Sequence, residues 1–505
     1  MKNPIILIFL LVAGSLSANN LQISNPAVDP DRGTLSFSLS WENSWHMETE
    51  PGNWDAIWVF IKSQSCDKPA WEHAKVSALA VDHSVSGDLL QVDAVNDSMG
   101  VFIRRSRTGF GPVASETVNL KMVSGVNLTD NYQIFGIEMV CIPEGEYFLG
   151  DGTKGFNEWS FGSNLPPHEA VRITAALQEA GIGSNAEIFP NAQANGVKGG
   201  VLPPTFPLGY SRFYVMKYEI SQAQYTAFLN TLTFAQQVNR TASSPSAAKG
   251  TPAISYTPPE HNRNAIRIQI PGIANNEPAL YACDLNGNGI FNEFDDGQNI
   301  ACNYLSWIDL IAYLDWAALR PMTEFEFEKI CRGEAAVTLA GEYAWGNTEI
   351  TQATSANLDF AGTPDEISRA GGNGLCAFGA ESFEQGPLRC GFAAGTQTNR
   401  QQAGAGFYGV MDMSGNVAEQ CVGGHKFDYS GFTSENGNGQ LTTKGAADTR
   451  GWPAKGGGQF GGIIRGGNWH SSHTTYLKVS DRSFLELNHN QGRDNRIGGR
   501  GVRSW

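Results

Sequence analysis

The sequence has little positive charge. In a chain of 505 residues, 35 lysines and arginines stand against 50 aspartates and glutamates, so the net charge is −15. The basic residues form no cluster along the chain. Such a protein would repel nucleic-acid phosphates, so we expect no nucleic-acid partner. The excess of carboxylates is instead suited to binding divalent cations.

Beyond its first residues, the chain lacks a hydrophobic run long enough to span a bilayer. Residues 1–18 contain a lysine, then an apolar run from Pro4 to Ala13, then small residues. This pattern is typical of a secretory signal peptide, and no cysteine follows that would carry a lipid. We therefore expect no membrane span and an exported mature protein, either secreted and extracellular or held at the cell surface.

Cysteine is scarce, and the eight residues show neither a CxxC pair nor a Cys/His spacing typical of zinc. Cys141 falls in a predicted core strand and Cys331 in a predicted helix, so both are expected to be buried free thiols. An exported protein can form disulfides. The candidate bridges, which flank loops, are Cys283/Cys302 and Cys376/Cys390.

Signature motifs of common enzymes are also missing. The chain has no GxSxG, no HExxH, no P-loop and no GxGxxG that opens a helix. Its many acidic residues allow a glycosidase-like carboxylate pair, but the sequence singles out none. His470 and His473 lie three residues apart, and two interpretations stay open: a shared metal, or two exposed loop histidines.

Glycine is abundant, with 58 residues, and only 17% of residues are charged, which favours a folded, loop-rich chain over disorder. Residues 19–122 contain alternating stretches such as LSFSLSW, which predict an all-β sandwich domain. The tryptophans in this part are suited to core packing or, alternatively, to stacking on sugars. Residues 123–135 are predicted to be a polar linker.

Residues 136–505 are predicted to form an α+β domain with much irregular backbone. Three capping boxes predict helix starts: Ser221/Gln224, Ser306/Asp309 and Thr323/Glu326. The third helix is expected to end at Gly333. Residues 153–209, rich in Gly, Pro and Asn, predict a long surface excursion with one short helix around residues 167–180.

Residues 406–421, GFYGVMDMSGNVAEQC, carry Asp412 and Glu419 on either side of a Gly-Asn pair that is suited to a tight turn. Such a turn can bring both carboxylates together with the intervening backbone carbonyls, and oxygen ligands of this kind bind Ca²⁺. The alternative is a strand-turn-strand with two solvated acids.

Residues 284–295, DLNGNGIFNEFD, follow the spacing of a twelve-residue calcium loop, with glycine at position 6. No flanking helices are predicted, so this would be an isolated loop. The alternative is a simple Asn/Gly-rich turn. The predicted ligands are Asp284, Asn286, Asn288, the Ile290 carbonyl and Asp295.

Taken in order, five segments resemble motifs of the formylglycine-generating enzyme family, the sulfatase-modifying factor domain. They are IEMVCIPEGEYFLGD; FYVMKYEISQAQYTAFLN; YLSWIDLIAYLDWAALRPMTEFEFEKICRG with the following YAWG; GFYGVMDMSGNVAEQ with IIRGGNW; and GRGVR. The resemblance covers residues 136–505. It implies a decorated C-type-lectin-like α+β fold, here preceded by the β-sandwich domain.

With the loop at residues 284–295, one to three calcium ions are expected in all, and the resemblance implies two of these sites. The ligands implied for the first site are the side chains of Asp412 and Glu419 with the carbonyls of Gly415 and Val417. A second family site uses an asparagine after the Trp-Gly segment, and Asn357 with the Leu358 carbonyl are similar to it. The aspartate partner of that second site has no clear counterpart in this chain.

The resemblance fails at the catalytic residues. Active members use two cysteines shortly after the Gly-Gly-Ser/Asn-aromatic motif to bind copper and oxidise a substrate cysteine. Here Ser471 and Tyr476 stand there, and the last cysteine of the chain is Cys421. Because Cu(I) selects thiolates, no copper is expected. The iron-dependent branch of the fold has a separate helical domain where this chain has the predicted sandwich.

Two functions are therefore compared. The first is an exported, calcium-stabilised binding or structural protein, with an extracellular glycan, a protein or another copy of itself as partner. Its ligand surface is predicted at residues 470–476 and 488–496. The second is a metal-dependent oxidoreductase with altered active-site residues, built around His470, His473 and nearby acids. The predicted ligand contacts are His470, Ser471, His473, Tyr476 and Arg482.

Overall fold

The computed structural model of the chain describes residues 20–505 except 67, 69, 153–159, 163–168, 178–180, 183–187, 191–199, 256–260, 335–337, 383–384, 396–397, 425–427, 455–460 and 484–491. The predicted signal peptide, residues 1–18, lies outside the described residues. The chain divides into two compact units. The first contains the residues up to His46 together with Ala56–Glu138, and the second contains Met47–Asp55 together with Met139–Trp505.

The first unit is formed by β-strands, and a 3₁₀ turn at Ala80–Asp82 is its one helical segment among the described residues. The strands are β1 (Gln22–Asp29), β2 (Thr34–His46), β3 (Asp55–Gln64), β4 (Glu72–Ala74), β5 (Ser84–Val85), β6 (Leu90–Ala94), β7 (Val101–Arg105), β8 (Gly109–Lys121) and the first part of β9 (Asn131–Ile142).

Two sets of strands in this unit share one core. β1, β2, β8 and β5 form an antiparallel sheet in that order, while β3 pairs with β4 and β7, and β7 pairs with β6. Alternate residues of β2, such as Phe37 and Trp41, pack in the same core cluster as Ile57 of β3. Trp58 is also fully buried. Trp41 and Trp58 are therefore core residues rather than a sugar-stacking surface.

The second unit mixes four helices with many short strands in its described part. The helices are α1 (Gln222–Leu229), α2 (Phe234–Arg240), α3 (Trp307–Trp316) and α4 (Glu324–Arg332). The strands after β9 are β10 (Tyr147–Leu149), β11 (Phe161–Gly162), β12 (Val171–Ile173), β13 (Gly181–Ile182), β14 (Phe189–Pro190), β15 (Gly200–Val201), β16 (Phe213–Met216), β17 (Ile266–Ile270), β18 (Leu280–Cys283), β19 (Arg320–Pro321), β20 (Thr351–Ala353), β21 (Leu358–Asp359), β22 (Ile367–Ser368), β23 (Leu375–Ala377), β24 (Ala418–Val422), β25 (Gly462–Arg465), β26 (Ile497–Gly498) and β27 (Gly501–Ser504). The chain is thus a β-rich α+β protein.

All three predicted capping boxes are present, at the starts of α1, α3 and α4. A fourth box, Thr233 with Gln236, starts α2, which was not predicted. Helix α4 ends at Gly333, whose φ is 71°. The predicted helix around residues 167–180 is wrong in its described part, because Val171–Ile173 forms β12 and pairs with β10. β-branched residues at 171 and 173 favour an extended backbone there.

All eight cysteines are free thiols, and all except Cys66 are buried. The expectation of buried free thiols at Cys141 and Cys331 is confirmed. The predicted bridges are wrong, because these sulfurs contact other groups: the Cys376 thiol donates to the Ser414 carbonyl at 2.8 Å. The Cys390 thiol donates to the Glu219 carbonyl at 3.5 Å.

Strands of two sheets position the residues of interest. The last residues of β9 pair with β16, and β27 lies between β16 and β19. A separate sheet has β24 between β25 and β26. Glu219 lies between β16 and α1, Glu419 lies in β24, and Arg500 directly precedes β27. Among the described residues, no helix is both long and apolar enough to cross a membrane.

Candidate functional site

The segment 406–421 forms a tight turn that leads into β24. Asp412, Gly415 and Asn416 have positive φ angles of 60°, 89° and 58°. The Asn416 side chain fixes the turn, because its Oδ1 accepts from the Leu388 amide at 2.8 Å and its Nδ2 donates to Glu219 Oε2 at 2.6 Å. The Gly-Asn pair thus has the conformation that the sequence predicts for it.

The acids around this turn are buried. Asp412, Glu219 and Glu419 are 6%, 0% and 1% exposed, so the alternative of two solvated acids is wrong. They surround the fully buried Arg500, and we call these four residues the carboxylate centre. Burial of several carboxylates in one place is costly unless each is paired or binds a cation.

Hydrogen bonds hold each member of the carboxylate centre in place. Arg500 donates to Glu419 Oε1 from Nε at 2.7 Å and from Nη2 at 2.6 Å. Glu219 Oε1 accepts from the Val417 amide at 2.9 Å. Asp412 Oδ2 accepts from the Gly391 amide at 2.6 Å. These charged groups thereby join three parts of the chain: the turn, the segment that precedes α1, and the residue that precedes β27.

The electrostatics of the carboxylate centre show an excess of negative charge. Burial and the Asp412 carboxylate raise the pKa of Glu219 well above its usual value. Burial also raises the pKa of Asp412 and, against the effect of Arg500, that of Glu419. The charge of Arg389 acts on Asp412 as well. When all three acids are ionised, their three negative charges face the two guanidinium groups of Arg500 and Arg389.

One atom of the centre is suited to a metal ion. Glu419 Oε2 is buried and has no hydrogen-bond partner in the described part of the chain. A buried carboxylate oxygen of this kind, which feels the charge of Asp412, is donor chemistry that calcium takes. In donor chemistry these residues fit the calcium ion that the family resemblance implies. In the described part of the chain, however, Asp412, Glu219 and Glu419 do not form a group whose ligand oxygens all lie within 4.8 Å of one another.

Glu219 is the member of the centre that sequence reasoning missed. It lies within FYVMKYEISQAQY, where it is the acid between a predicted strand and a helix cap. The available signal was a lone carboxylate between apolar residues at such a junction. A carboxylate in an apolar stretch is expected to be buried, and a buried carboxylate needs a partner elsewhere in the fold. The partner, Asn416, is 197 residues away in the sequence.

The second calcium site implied by the resemblance is less complete. Asn357 is exposed, and its carbonyl accepts from the Arg369 amide at 3.1 Å. Leu358 pairs with Ser368 in a short hairpin. The adjacent acid, Asp359, binds the Arg369 side chain at 2.7 Å. Among the described residues, no group of three metal-binding side chains lies there.

The loop after β18 brings together a different set of acids from the predicted one. Carboxylate oxygens of Glu293, Asp295 and Asp296 lie within 4.8 Å of one another. Asp284 is buried near them, while Ile290 is exposed. The loop follows a strand, not a helix, as expected for an isolated loop. Of the acids in this cluster, Glu293 and Asp296 were not predicted as ligands.

The predicted ligand surface around 470–476 is partly buried. The Ser471 hydroxyl accepts from the Asn468 amide at 3.0 Å, and Ser471 is 5% exposed. His473 is exposed and its ring meets the half-buried Tyr476 ring edge-on at 5.9 Å. The half-buried His470 ring lies 5.2 Å from that of Trp469. In the described part of the chain, neither histidine belongs to a group of three metal-binding side chains.

Arg482 does not fit its predicted role as a ligand contact. It is fully buried, and its Nε and Nη2 donate to Glu324 at 2.6 and 2.8 Å. Its guanidinium also stacks on the Phe161 ring at 3.9 Å. A charge this deep in the fold stabilises the core and is not available to an external ligand.

Comparisons with known proteins agree with the motif analysis. Residues 136–505 match the family model described as "Sulfatase-modifying factor enzyme 1-like domain". No curated protein matches the chain. One solved structure, described as "pH-induced modulation of Streptococcus parasanguinis adhesion by Fap1 fimbriae", is similar over 35% of this chain and 78% of its own, at 14% identity and a TM-score of 0.12. A similarity this low supports no statement about fold.

Proposed function

The chain belongs to the sulfatase-modifying factor enzyme 1-like family, and from this premise we propose that it is an exported, calcium-stabilised binding or structural protein without oxidase activity. In this proposal the family domain has the decorated C-type-lectin-like fold and the first unit is a β-sandwich. The protein acts in the secreted, extracellular or cell-surface space. Its partner is a glycan, another protein or a second copy of itself.

The observation that carries the proposal is the absence of thiols where active family members have them. Ser471 and Tyr476 provide hydroxyl groups there, and Ser471 is already hydrogen-bonded within its own loop. The cysteines elsewhere do not substitute for them. Burial raises the pKa of the Cys283 thiol to about 12 and raises the pKa of Cys376 and of Cys421 well above the usual thiol value, so these groups are not thiolates at neutral pH.

We expect the purified protein to leave a cysteine-containing sulfatase peptide unmodified, because no thiolate pair is present to hold Cu(I). The protein is incubated with Cu(I), oxygen and the peptide, and the product is analysed by mass spectrometry, with an active family enzyme as positive control. Bound copper is measured after desalting. A formylglycine product, or one copper ion retained per chain, would refute the proposal.

The proposed calcium stabilisation is supported by the three buried carboxylates of the carboxylate centre and by the unpartnered Glu419 Oε2. The side chains of Asp412 and Glu419 would hold the ion, together with the carbonyls of Gly415 and Val417. A calcium ion there would offset the negative charge of the carboxylates that Arg500 does not neutralise. It would also connect the turn to β24. No redox chemistry is required of it.

Calcium is expected to raise the melting temperature of the wild-type chain, since a ligand at 100 times its Kd adds about 2.7 kcal/mol of stability. Glu419→Gln should lose the part of this calcium-induced increase that comes from the carboxylate centre. The comparison is made between EGTA and calcium within each variant, so any direct destabilisation cancels. Glu277→Gln, at an exposed acid, is the matched control and should keep the full increase. An unchanged increase in Glu419→Gln would contradict calcium binding at the centre.

The ligand surface of the proposed function is the face that carries His470, His473 and Tyr476. Residues 492–496, also part of the predicted surface, include the Asp494–Arg496 ion pair at 2.7 Å. Residues 488–491 lie outside the described part of the chain. The alternative oxidoreductase function is not supported by a specific observation, because the two histidines lack further metal ligands among the described residues.

A further inference from the structure

The loop between β18 and residue 298 is closed at its neck by a reciprocal pair of hydrogen bonds. The Asn292 amide donates to the Cys283 carbonyl at 2.9 Å, and the Cys283 amide donates to Asn292 Oδ1 at 3.0 Å. Residues 284–291 are thereby held as a compact loop whose ends meet.

The two asparagines predicted as ligands have other partners. Asn286 Oδ1 accepts from the Asn288 amide at 2.9 Å, and Asn288 Oδ1 accepts from the Ile290 amide at 2.7 Å. Both side chains therefore shape the backbone as Asx turns do. Their amide nitrogens donate to the acids, Asn286 to Asp295 at 3.3 Å and Asn288 to Glu293 at 2.6 Å. The asparagines position the carboxylates of the loop.

Two buried oxygens in this loop have no partner among the described residues. Asp284 is 3% exposed; its Oδ2 accepts from the Gly289 amide at 3.3 Å, while its Oδ1 is unpartnered. Asp296 is 0% exposed; its Oδ2 accepts from the Glu293 amide at 2.8 Å, and its Oδ1 is unpartnered. An ionised carboxylate oxygen left in this state is costly without a cation.

We propose that Asp284, Glu293, Asp295 and Asp296 form a site for a hard divalent cation, calcium by its chemistry. The cluster of three mutually close carboxylates and the two unpartnered buried oxygens are independent observations that lead to the same site. In the described part of the chain these four acids form no ion pair, although Asp284 and the buried Arg267 interact electrostatically. An irregular loop rich in carboxylates is suited to calcium, which accepts six to eight oxygens in flexible geometry, better than to the strictly octahedral magnesium ion.

The site is positioned to fasten a neighbouring loop. The Gly297 amide donates to the Gly362 carbonyl at 2.9 Å, and a Cβ on Gly362 would lie 2.5 Å from the Asp295 carbonyl. The Gly362 amide in turn donates to the fully buried Glu366 at 2.7 Å. Cation binding at residues 284–296 is therefore expected to order residues 359–366 as well.

Hydrogen–deuterium exchange on the full chain tests the site. In the wild type, 1 mM calcium is expected to slow exchange in peptides covering 284–298 at least tenfold relative to EGTA, with a smaller effect in 359–366. The double variant Glu293→Gln/Asp296→Asn should lose this protection. Glu277→Gln is the matched control and should keep it.

The inference deepens the proposed calcium-stabilised function, and Glu419→Gln separates the two sites. That variant should keep calcium protection in 284–298 even though it loses the calcium-induced stability of the carboxylate centre. Equal exchange in calcium and EGTA in the wild-type loop, or protection that persists in the double variant, would overturn the site. Equal protection by 1 mM magnesium would overturn its assignment to calcium.

Discussion

Replacing Glu324 with glutamine is expected to lower the free energy of unfolding by about 3–5 kcal/mol, the usual cost of leaving a buried charge unpaired. Glu324 is fully buried and binds two arginines. Its carboxylate accepts from Arg465 Nη1 at 2.9 Å, and from Nε and Nη2 of Arg482 at 2.6 and 2.8 Å. Glutamine keeps the volume but removes the charge and presents an amide to a guanidinium group.

The two arginines differ in how much they depend on Glu324. Arg465 also donates to Glu328 at 2.7 Å, so it keeps a carboxylate partner in the variant. Arg482, by contrast, contacts one carboxylate among the described residues, that of Glu324. Most of the loss should therefore come from Arg482. Adding Arg482→Met to Glu324→Gln is expected to recover part of it.

Urea unfolding of the full chain, followed by tryptophan fluorescence, measures the effect. Glu277→Gln makes the same chemical change at an exposed acid and should stay within about 0.5 kcal/mol of the wild type. A loss below about 1 kcal/mol in Glu324→Gln, the usual size of an exposed ion pair, would mean that solvent reaches this cluster.

Local signals in the sequence were sufficient where the structure is held by local contacts. Each helix start depends on a Ser or Thr and on a residue three positions later, so the box at Ser221 is readable from the sequence alone. The box at Thr233 carries the same signal and was overlooked. The spacing of residues 284–295 pointed to an isolated loop, which follows a strand as expected, but the side chains of Asn286, Asn288 and Asp295 are exposed.

Long-range pairing explains what the sequence did not reveal. Arg482 was predicted as a surface contact because a charged residue in an irregular segment is usually exposed, but its partner Glu324 lies 158 residues away. Glu219 was missed for the same reason. In residues 284–296, the ligand positions of a twelve-residue calcium loop were expected, whereas the carboxylates that lie together are those of Glu293, Asp295 and Asp296.

Gly415→Ala is expected to have the other large effect, at the turn that carries the carboxylate centre. Gly415 has a φ of 89°, and a Cβ there would lie 2.4 Å from Cys376 Sγ and 2.6 Å from the Ala377 carbonyl. The positive φ costs an alanine about 1 kcal/mol, and overpacking adds about 1–3 kcal/mol. The Ala377 carbonyl also accepts a hydrogen bond from the Asn416 amide at 3.0 Å, so it cannot move aside freely.

Gly250→Ala separates the two costs, because Gly250 has a similar φ of 84° but no atom within 4 Å of the Cβ position. It should show the backbone cost alone, and the difference in unfolding free energy between the variants measures the contact with Cys376 and Ala377.

Calcium adds a second criterion. If the Gly415 carbonyl binds the ion, displacing this turn should also reduce the calcium-induced rise in melting temperature, whereas Gly250→Ala should leave that rise intact. Equal stability of the two variants would contradict the tight packing of the turn, and a full calcium response in Gly415→Ala would contradict the turn's part in binding the ion.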